Sequence, residues 1–272
     1  MLKTRVVTAL VLLGILLPVL YSRSFLALIL VATVFFAAAA WESARLFRLA
    51  RPVFVAAIWT AVFAVIVYQG VFAKATLLFS LCVAIWAVRL APMLKLGLPA
   101  LANVGNRLLA GVYGITILGC FIAVIALFAH SPLYLLSVMA IVWVADIGAY
   151  FAGRAFGRRK LAPSISPGKS WEGAIGGWLA VLVVSAILIV AWPATDTFAV
   201  RLHQGWGWSG VTAMLTLIVA ASIIGDLFES QLKRRAGMKD SSALLPGHGG
   251  VLDRIDSLIP VLPLAVLSGS WL

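Results

Sequence analysis

Nine stretches of this chain are apolar over about 17 to 22 consecutive positions: residues 6–22, 25–41, 53–69, 72–90, 108–129, 132–151, 172–192, 210–228 and 256–272. A helix of that length crosses the ~30 Å of hydrocarbon in a bilayer. Inside hydrocarbon every backbone polar group must be satisfied by the chain itself, which leaves helices or closed barrels. The expected fold class is all-α: a polytopic transmembrane helical protein of about nine spans. The ninth segment is short and carries Pro260 and Pro263, so a kink or an incomplete crossing is expected there. Charged residues make up 11% of the chain, against roughly 25% in soluble domains, which excludes an ordinary soluble fold.

Charge then orients the bundle. With nine spans, the N-terminus and every second loop lie on one side, and that side takes every Lys and Arg except Arg23, Lys74 and Arg201. Such asymmetry marks the cytoplasmic side, so the N-terminus is expected inside and the C-terminus outside, in the cell (cytoplasmic, or inner) membrane. The same rule accounts for the net charge of +12 without a nucleic-acid partner, and none is expected. Lys3 and Arg5 ahead of the first apolar run look like the start of a secretion signal. No small-x-small cleavage site follows Tyr21-Ser22-Arg23, and a retained first span is expected. Cys82 and Cys120 lie in apolar runs without metal-ligand spacing and read as packing residues.

Residues 1–107 hold few polar groups within the spans and read as an N-terminal scaffold of about four spans. Residues 108–272 read as a catalytic region of about five, with cytoplasmic loops 152–171 and 229–255. Asp146 and Asp226 fall near the cytoplasmic ends of the sixth and eighth segments. A carboxylate there costs on the order of 2.5–3.5 kcal/mol at mid-bilayer, less near the interface. The negative helix C-terminus disfavours it further. Each therefore needs a partner, either a bound cation or a local base such as Arg154 or Lys233. Asp226, Glu229 or Ser230, and Lys233 share one face of the eighth helix.

Asp253 and Asp256 open the ninth segment, where an N-cap and a ligand role are both open for Asp256. Asp253 follows His248-Gly249-Gly250, a turn that lets backbone approach a ligand. His248 sits among glycines in this polar loop, where a ligand-facing or acid–base role suits it, whereas His130 and His203 lie far away. The run ending Gly168-Lys169-Ser170 is reminiscent of a P-loop, but Pro163 stands where the first glycine belongs and no strand is expected before it. Ser170 is expected to cap the seventh helix, whose positive N-terminus beside Lys169 favours phosphate. Gly173 and Gly177, four apart, are expected to pack helices.

The stretch SQLKRRAGMKDSSALLPGHGGVLDRID, residues 230–256, together with AD-GAYF-GR-FG and SPGKSWEG, resembles the phosphatidate cytidylyltransferases (CDP-diacylglycerol synthases). The likeness covers about residues 140–272. It implies the reaction of CTP with phosphatidate, giving CDP-diacylglycerol and pyrophosphate, with Mg²⁺ as cofactor and Mn²⁺ as a substitute. The residues then take expected roles. Asp226 and Asp253 are metal ligands, with Asp146 and Asp256 secondary. Asp226, Asp253, Lys239 and His248 form the catalytic set. Ser166, Lys169, Ser170, Glu172, Lys233, Arg234, Asp240, Gly249, Gly250 and Arg254 contact substrate. Membrane lipid is a partner, and assembly as a homodimer is left open.

Three rival readings compete with this one. A CDP-alcohol phosphotransferase would carry D-x-x-D-G followed by G-x-x-x-D-x-x-x-D, and neither is present. A CTP-dependent polyprenol kinase would need a base for its hydroxyl acceptor. A cation transporter would set carboxylates near mid-bilayer on a path open to both sides, whereas these gather near one face.

Overall fold

The computed structural model describes residues 2–70 and 75–269. Lys74 and the last three positions of the ninth apolar segment lie outside the described residues. Each apolar segment becomes helix. The elements are α1 Leu2–Ser22, α2 Phe25–Leu46, α3 Pro52–Tyr68, α4 Thr76–Ile85, α5 Ala91–Leu96, α6 Val104–His130, α7 Pro132–Phe156, α8 Trp171–Ala191, α9 Phe198–Ala236, α10 Leu252–Ile255 and α11 Leu258–Leu267. Among the described residues six helices are long and apolar enough to span a bilayer, counting α4 through α5 as one, and α3 and α11 are shorter apolar helices. The chain is a helical membrane protein. Among the described residues the two strands are β1 Lys160–Ala162 and β2 Ser166–Ser170, an antiparallel hairpin with Lys160 opposite Ser170.

The bundle is built around α6. Of its most apolar window 78% is buried, whereas the corresponding figure for α2, α4–α5, α7 and α8 is between 22% and 33%. Those four helices therefore turn most of their surface outward, as lipid-facing helices do. Aromatic side chains fill the space beside α6. Phe36, Phe63 and Phe121 interlock, and Trp86, Tyr113 and Phe228 form a second group with ring centroids 5.3 to 6.3 Å apart. Trp86 is aimed into that group by a π turn, Trp86–Leu90, that joins α4 to α5 just ahead of Pro92. Proline removes one helical N–H, and the wider turn absorbs the break. Cys82 and Cys120 are buried and unpaired, as packing residues should be.

α7 and α8 make the closest contact in the bundle, through small residues. Ala145, Ala149 and Gly153 recur every fourth position on α7 and meet Gly173 and Gly177 on α8. A Cβ on Gly177 would lie 2.5 Å from the Ala145 carbonyl oxygen, and one on Gly148 would lie 2.7 Å from the Ala180 Cβ. Without a hydrophobic drive between helices in lipid, such close backbone approach supplies the attraction.

α7 and α9 run well past the C-terminal ends of their apolar segments, and α9 is broken near its start at Gly207, whose φ of 64° and ψ of −169° are not helical. α9 ends on Gly237, whose φ of 71° places it in the left-handed region. There Met238 N donates to Lys233 O at 2.8 Å and Gly237 N to Arg234 O, closing a Schellman motif. The loops between helices shrink accordingly, to 157–170 and 237–251. Long-range bonds draw the C-terminal end of α9, the segment after α2 and the segment at 93–99 together: Arg48 Nη2 to Ala236 O (2.9 Å), Gln231 Nε2 to Met93 O (3.1 Å) and Arg235 Nη1 to Pro99 O (2.9 Å).

Replacing Gly177 with Leu should force α7 and α8 apart and cost about 3 kcal/mol. Thermal unfolding in detergent is the measurement. An unchanged midpoint would mean that the α7–α8 seam does not carry the fold.

Candidate active site

A cavity of about 410 Å³ opens between α7, β2, α8 and α9, lined by Asp146, Lys169, Ser170, Gly173 and Asp226 among others. Both carboxylates stand ten residues before the end of their helix, since α7 runs to Phe156 and α9 to Ala236. That is about 15 Å of helix. The expectation that they sit at helix C-termini is therefore corrected, and the dipole there does not act on them. Lys169 Nζ meets Asp226 Oδ2 at 2.5 Å, and Asp146 lies within electrostatic reach of both. Ser230, one turn on, donates its hydroxyl to Asp226 Oδ1 at 3.3 Å.

The hairpin holds Lys169 over this cavity. Ser170 is buried and caps α8, accepting from Gly173 N at 3.1 Å, as expected. Glu172, in the first turn, accepts from the amides of Arg158 and Arg159, and Trp171 N donates to Arg159 O. These bonds pin the segment leaving α7 to the start of α8. A strand does precede this helix, contrary to expectation, but it pairs antiparallel in a hairpin. The P-loop reading stays rejected, because that motif needs a strand–loop–helix unit. Ser166 sits half-buried in β2.

A second cluster lies further along α9. Lys233 is ion-paired to the fully buried Glu229 one turn before it and, at 2.6 Å, to Asp253 on α10. The other oxygen of Asp253 accepts from Ser241 N and Gly250 N, each at 2.8 Å, and from the Ser241 hydroxyl at 2.9 Å. Burial opposes the charge of Asp253. The Lys233 hydrogen bond and the two amides outweigh it and hold the carboxyl below the usual carboxylate range. Asp256 joins the two clusters: it lies within electrostatic reach of Asp226, Lys233 and Lys169, and it accepts from Ser257 N at 2.7 Å. Gly225 makes that possible, because a Cβ there would collide with the Asp256 carbonyl oxygen.

Glu42, at the end of α2, was not foreseen as part of this site. It is fully buried and has no cation partner among the described residues; Arg45, one turn on, stacks over Trp41 instead. Its carboxylate accepts from Val251 N at 3.0 Å, Leu252 N at 2.6 Å, and the hydroxyls of Ser241 and Ser242. The first two are free amides at the start of α10, so an acid from the far end of the chain caps that helix. Gly250 is required here because a Cβ would run into Glu42 and Ser241. Gly249, at φ 81°, closes the turn in which Leu245 N donates to Gly249 O at 2.8 Å. The sequence held no signal for this, because Arg45 at i+3 is the partner that helical spacing suggests.

The remaining expected residues surround this core. Arg234, Lys239, Asp240 and Arg254 are exposed and form no ion pair among the described residues. His248 is half-buried in the loop, and its Nδ1 is buried without a partner among the described residues. His130 pairs with Asp196 at 3.6 Å, and His203 packs on Trp208, both away from these clusters.

The donor set suits a hard cation. It is made of carboxylate oxygens alone, and Asp226 and Asp253 each already hold a positive charge, the ammonium groups of Lys169 and Lys233. Among the described residues no three such side chains converge on one point. Mg²⁺ does not require that, because it is commonly held by one or two carboxylates together with substrate phosphates. The residues present fit such an ion.

A helical membrane bundle with acids and bases banded at one end defines a membrane-embedded protein suited to phosphate chemistry. The model of the cytidylyltransferase family matches residues 3–270, and the chain belongs to that family. It is 43% identical to the phosphatidate cytidylyltransferase of Pseudomonas aeruginosa over 289 aligned residues, covering 100% of this chain and 99% of that one. It is 52% identical to the Haemophilus influenzae protein of the same name over 137 residues, 49% of this chain and 44% of that one. With a Staphylococcus aureus protein of that name it shares 45% over 132 residues, 48% of this chain and 46% of that one.

Glu42→Ala would leave several buried donors unmet, and each such group costs about 1–3 kcal/mol. The expected result is much faster hydrogen exchange at the amides of 241–252, with the amides of α6 unaffected. Unchanged exchange in the loop would remove Glu42 as its anchor.

Proposed function

We propose that the chain catalyses the reaction of CTP with phosphatidate, giving CDP-diacylglycerol and pyrophosphate, at the cytoplasmic face of the cell membrane. The observation that carries this reading is the cavity shared by Asp146, Lys169 and Asp226, which opens beside apolar residues turned outward on α7 and α8: Ile147, Tyr150, Phe151, Ile175 and Leu179. A lipid-borne phosphate and a water-soluble nucleotide can meet at such a border. The full-length likeness to the Pseudomonas aeruginosa protein supports the choice of reactants. The orientation we propose has the N-terminus inside, the C-terminus outside and about nine crossings, with α1, α3 and α11 completing the bundle; the charge asymmetry of the loops supports it.

In this mechanism a phosphate oxygen of phosphatidate attacks the α-phosphorus of CTP. The new O–P bond forms as the bridging bond to the β-phosphate breaks, and pyrophosphate leaves with that electron pair. The nucleophile is already anionic near neutral pH, so no strong general base is needed. The obstacle is repulsion between two anions, and fixed positive charge lowers it. Lys169 is set to receive a phosphate at the cavity wall. Lys233, Arg234, Lys239 and Arg254 supply positive charge along the loop. His248 Nδ1, buried and without a partner among the described residues, is available to the triphosphate or the leaving group. Asp226 and Asp253 would hold Mg²⁺, with Asp146 and Asp256 in support. When bound, the ion supplies charge neutralisation and alignment of the phosphates. Asp253 also orients Lys233 and the loop amides, so its removal should disturb loop and site together.

The test is a measurement of lipid-linked product from labelled CTP and phosphatidate with purified protein. Product should require Mg²⁺ or Mn²⁺, and it should fall about 100-fold or more in a well-folded Asp226→Asn variant. Undiminished product in that variant would exclude Asp226 from the chemistry. Label on a polyprenol would indicate the kinase, and no nucleotide dependence would indicate a transporter.

A further inference from the structure

Away from the acid–base band, on the N-terminal half of the molecule, a second cavity of about 670 Å³ opens where α2 gives way to α3 and α6 begins. Three arginines line it: Arg48, Arg51 and Arg107. All three are exposed, and none has a carboxylate within ion-pair distance among the described residues. Arg48 has a positive φ of 49°, uncommon for a residue with a side chain, and its guanidinium donates to the Ala236 carbonyl. That bond puts the cavity at the same end of the bundle as the loop at 237–251. Deeper in, the wall is apolar, formed by Leu49, Val55, Trp59 and Ala110. Below the rim, Val53, Phe54 and Ile58 on α3 and Val104 and Leu108 on α6 face outward.

Arginines clustered merely to satisfy the positive-inside rule need no concave site and no apolar floor. Here three guanidiniums surround a concave site, with lipid-facing surface directly beneath it. Guanidinium forks match phosphate oxygens in pairs, and basic pockets between helices on the cytoplasmic side bind anionic headgroups.

We propose that this cavity is a binding site for an anionic glycerophospholipid, separate from the catalytic site. The headgroup phosphate lies among Arg48, Arg51 and Arg107, and the acyl chains lie along the outward faces of α3 and α6. None of these residues belongs to the acid–base band, so the site stands whether or not the proposed reaction does.

The experiment is titration of the full chain, in a neutral detergent, with phosphatidylglycerol and with phosphatidylcholine, counting bound lipid by native mass spectrometry. Wild type should bind phosphatidylglycerol in preference to phosphatidylcholine. An R51Q/R107Q variant should lose roughly 30-fold in affinity for phosphatidylglycerol. An R89Q/K95Q variant, which removes the same charge from the same end, should change less than about threefold if the site is local. Gly111→Phe tests shape without changing charge: Gly111 lines the cavity, and a Cβ there meets open space, so the ring should occupy it and weaken binding without loss of fold. Equal losses in the two charge variants would reduce the effect to diffuse surface charge and overturn the proposal. Equal binding of the two lipids, or full binding by Gly111→Phe, would overturn it as well.

Discussion

A carboxylate removed from water costs several kcal/mol unless charges or donors replace its hydration, and this chain sets eight of its nine acidic residues, all but Asp196, at one end of a membrane bundle, six of them in or beside the two clusters. Glu42, Asp146, Asp226, Glu229, Asp253 and Asp256 come from α2, α7, α9 and the segment around α10. Most of what is ordered at that end answers their charge. Lys169 meets Asp226, and Lys233 meets both Glu229 and Asp253. Where no cation is present, at Glu42, two amides and two hydroxyls take its place. The polar loop between α9 and α10 has little apolar surface with which to fold itself. Its shape is imposed by acids that must be satisfied.

This arrangement has a functional corollary. The lysines that neutralise Asp226 and Asp253 are also the groups that would meet substrate phosphates. Under the proposed reaction, a nucleotide arriving with Mg²⁺ would exchange one set of ion pairs for another. Such an exchange costs less than charging an empty apolar pocket, because the desolvation has already been met during folding.

The extended helices set the geometry of the site. α7 and α9 continue past their apolar segments, so Asp146 and Asp226 sit well inside rigid helix, and the small-residue seam between α7 and α8 fixes one wall of the cavity to within a side-chain width. The hairpin then needs only a serine cap and the Glu172 bonds to carry Lys169 across. Rigid elements hold the carboxylates, and a short, well-anchored loop carries the base.

Much of this was legible in the residues themselves. Hydrophobic length alone located every long helix, though not the short α10, because in hydrocarbon a run of about twenty apolar residues has hardly another structure available. Fixed spacing within residues 230–256 pointed to the chemistry, and Ser170 and Gly173 were read correctly as cap and packing residue because both act within a turn or two of their own position. Helix ends were only partly legible: Lys233 was placed on the eighth helix by its spacing, but the run on through Arg234 and Arg235 to Ala236 was not, because hydropathy stops there and helix propensity does not. The hairpin was missed because its pairing depends on being pinned between two helices. Glu42 was missed for a deeper reason. It lies about 200 positions from the amides and hydroxyls that it serves, and nothing local marks an acid whose partners are backbone groups. The sequence by itself determined the membrane class, the helices and the kind of chemistry, since these follow from local composition and short spacings. Only the tertiary structure decided which charges meet, because pairing in a low-dielectric interior depends on distances between segments that the chain brings together in folding.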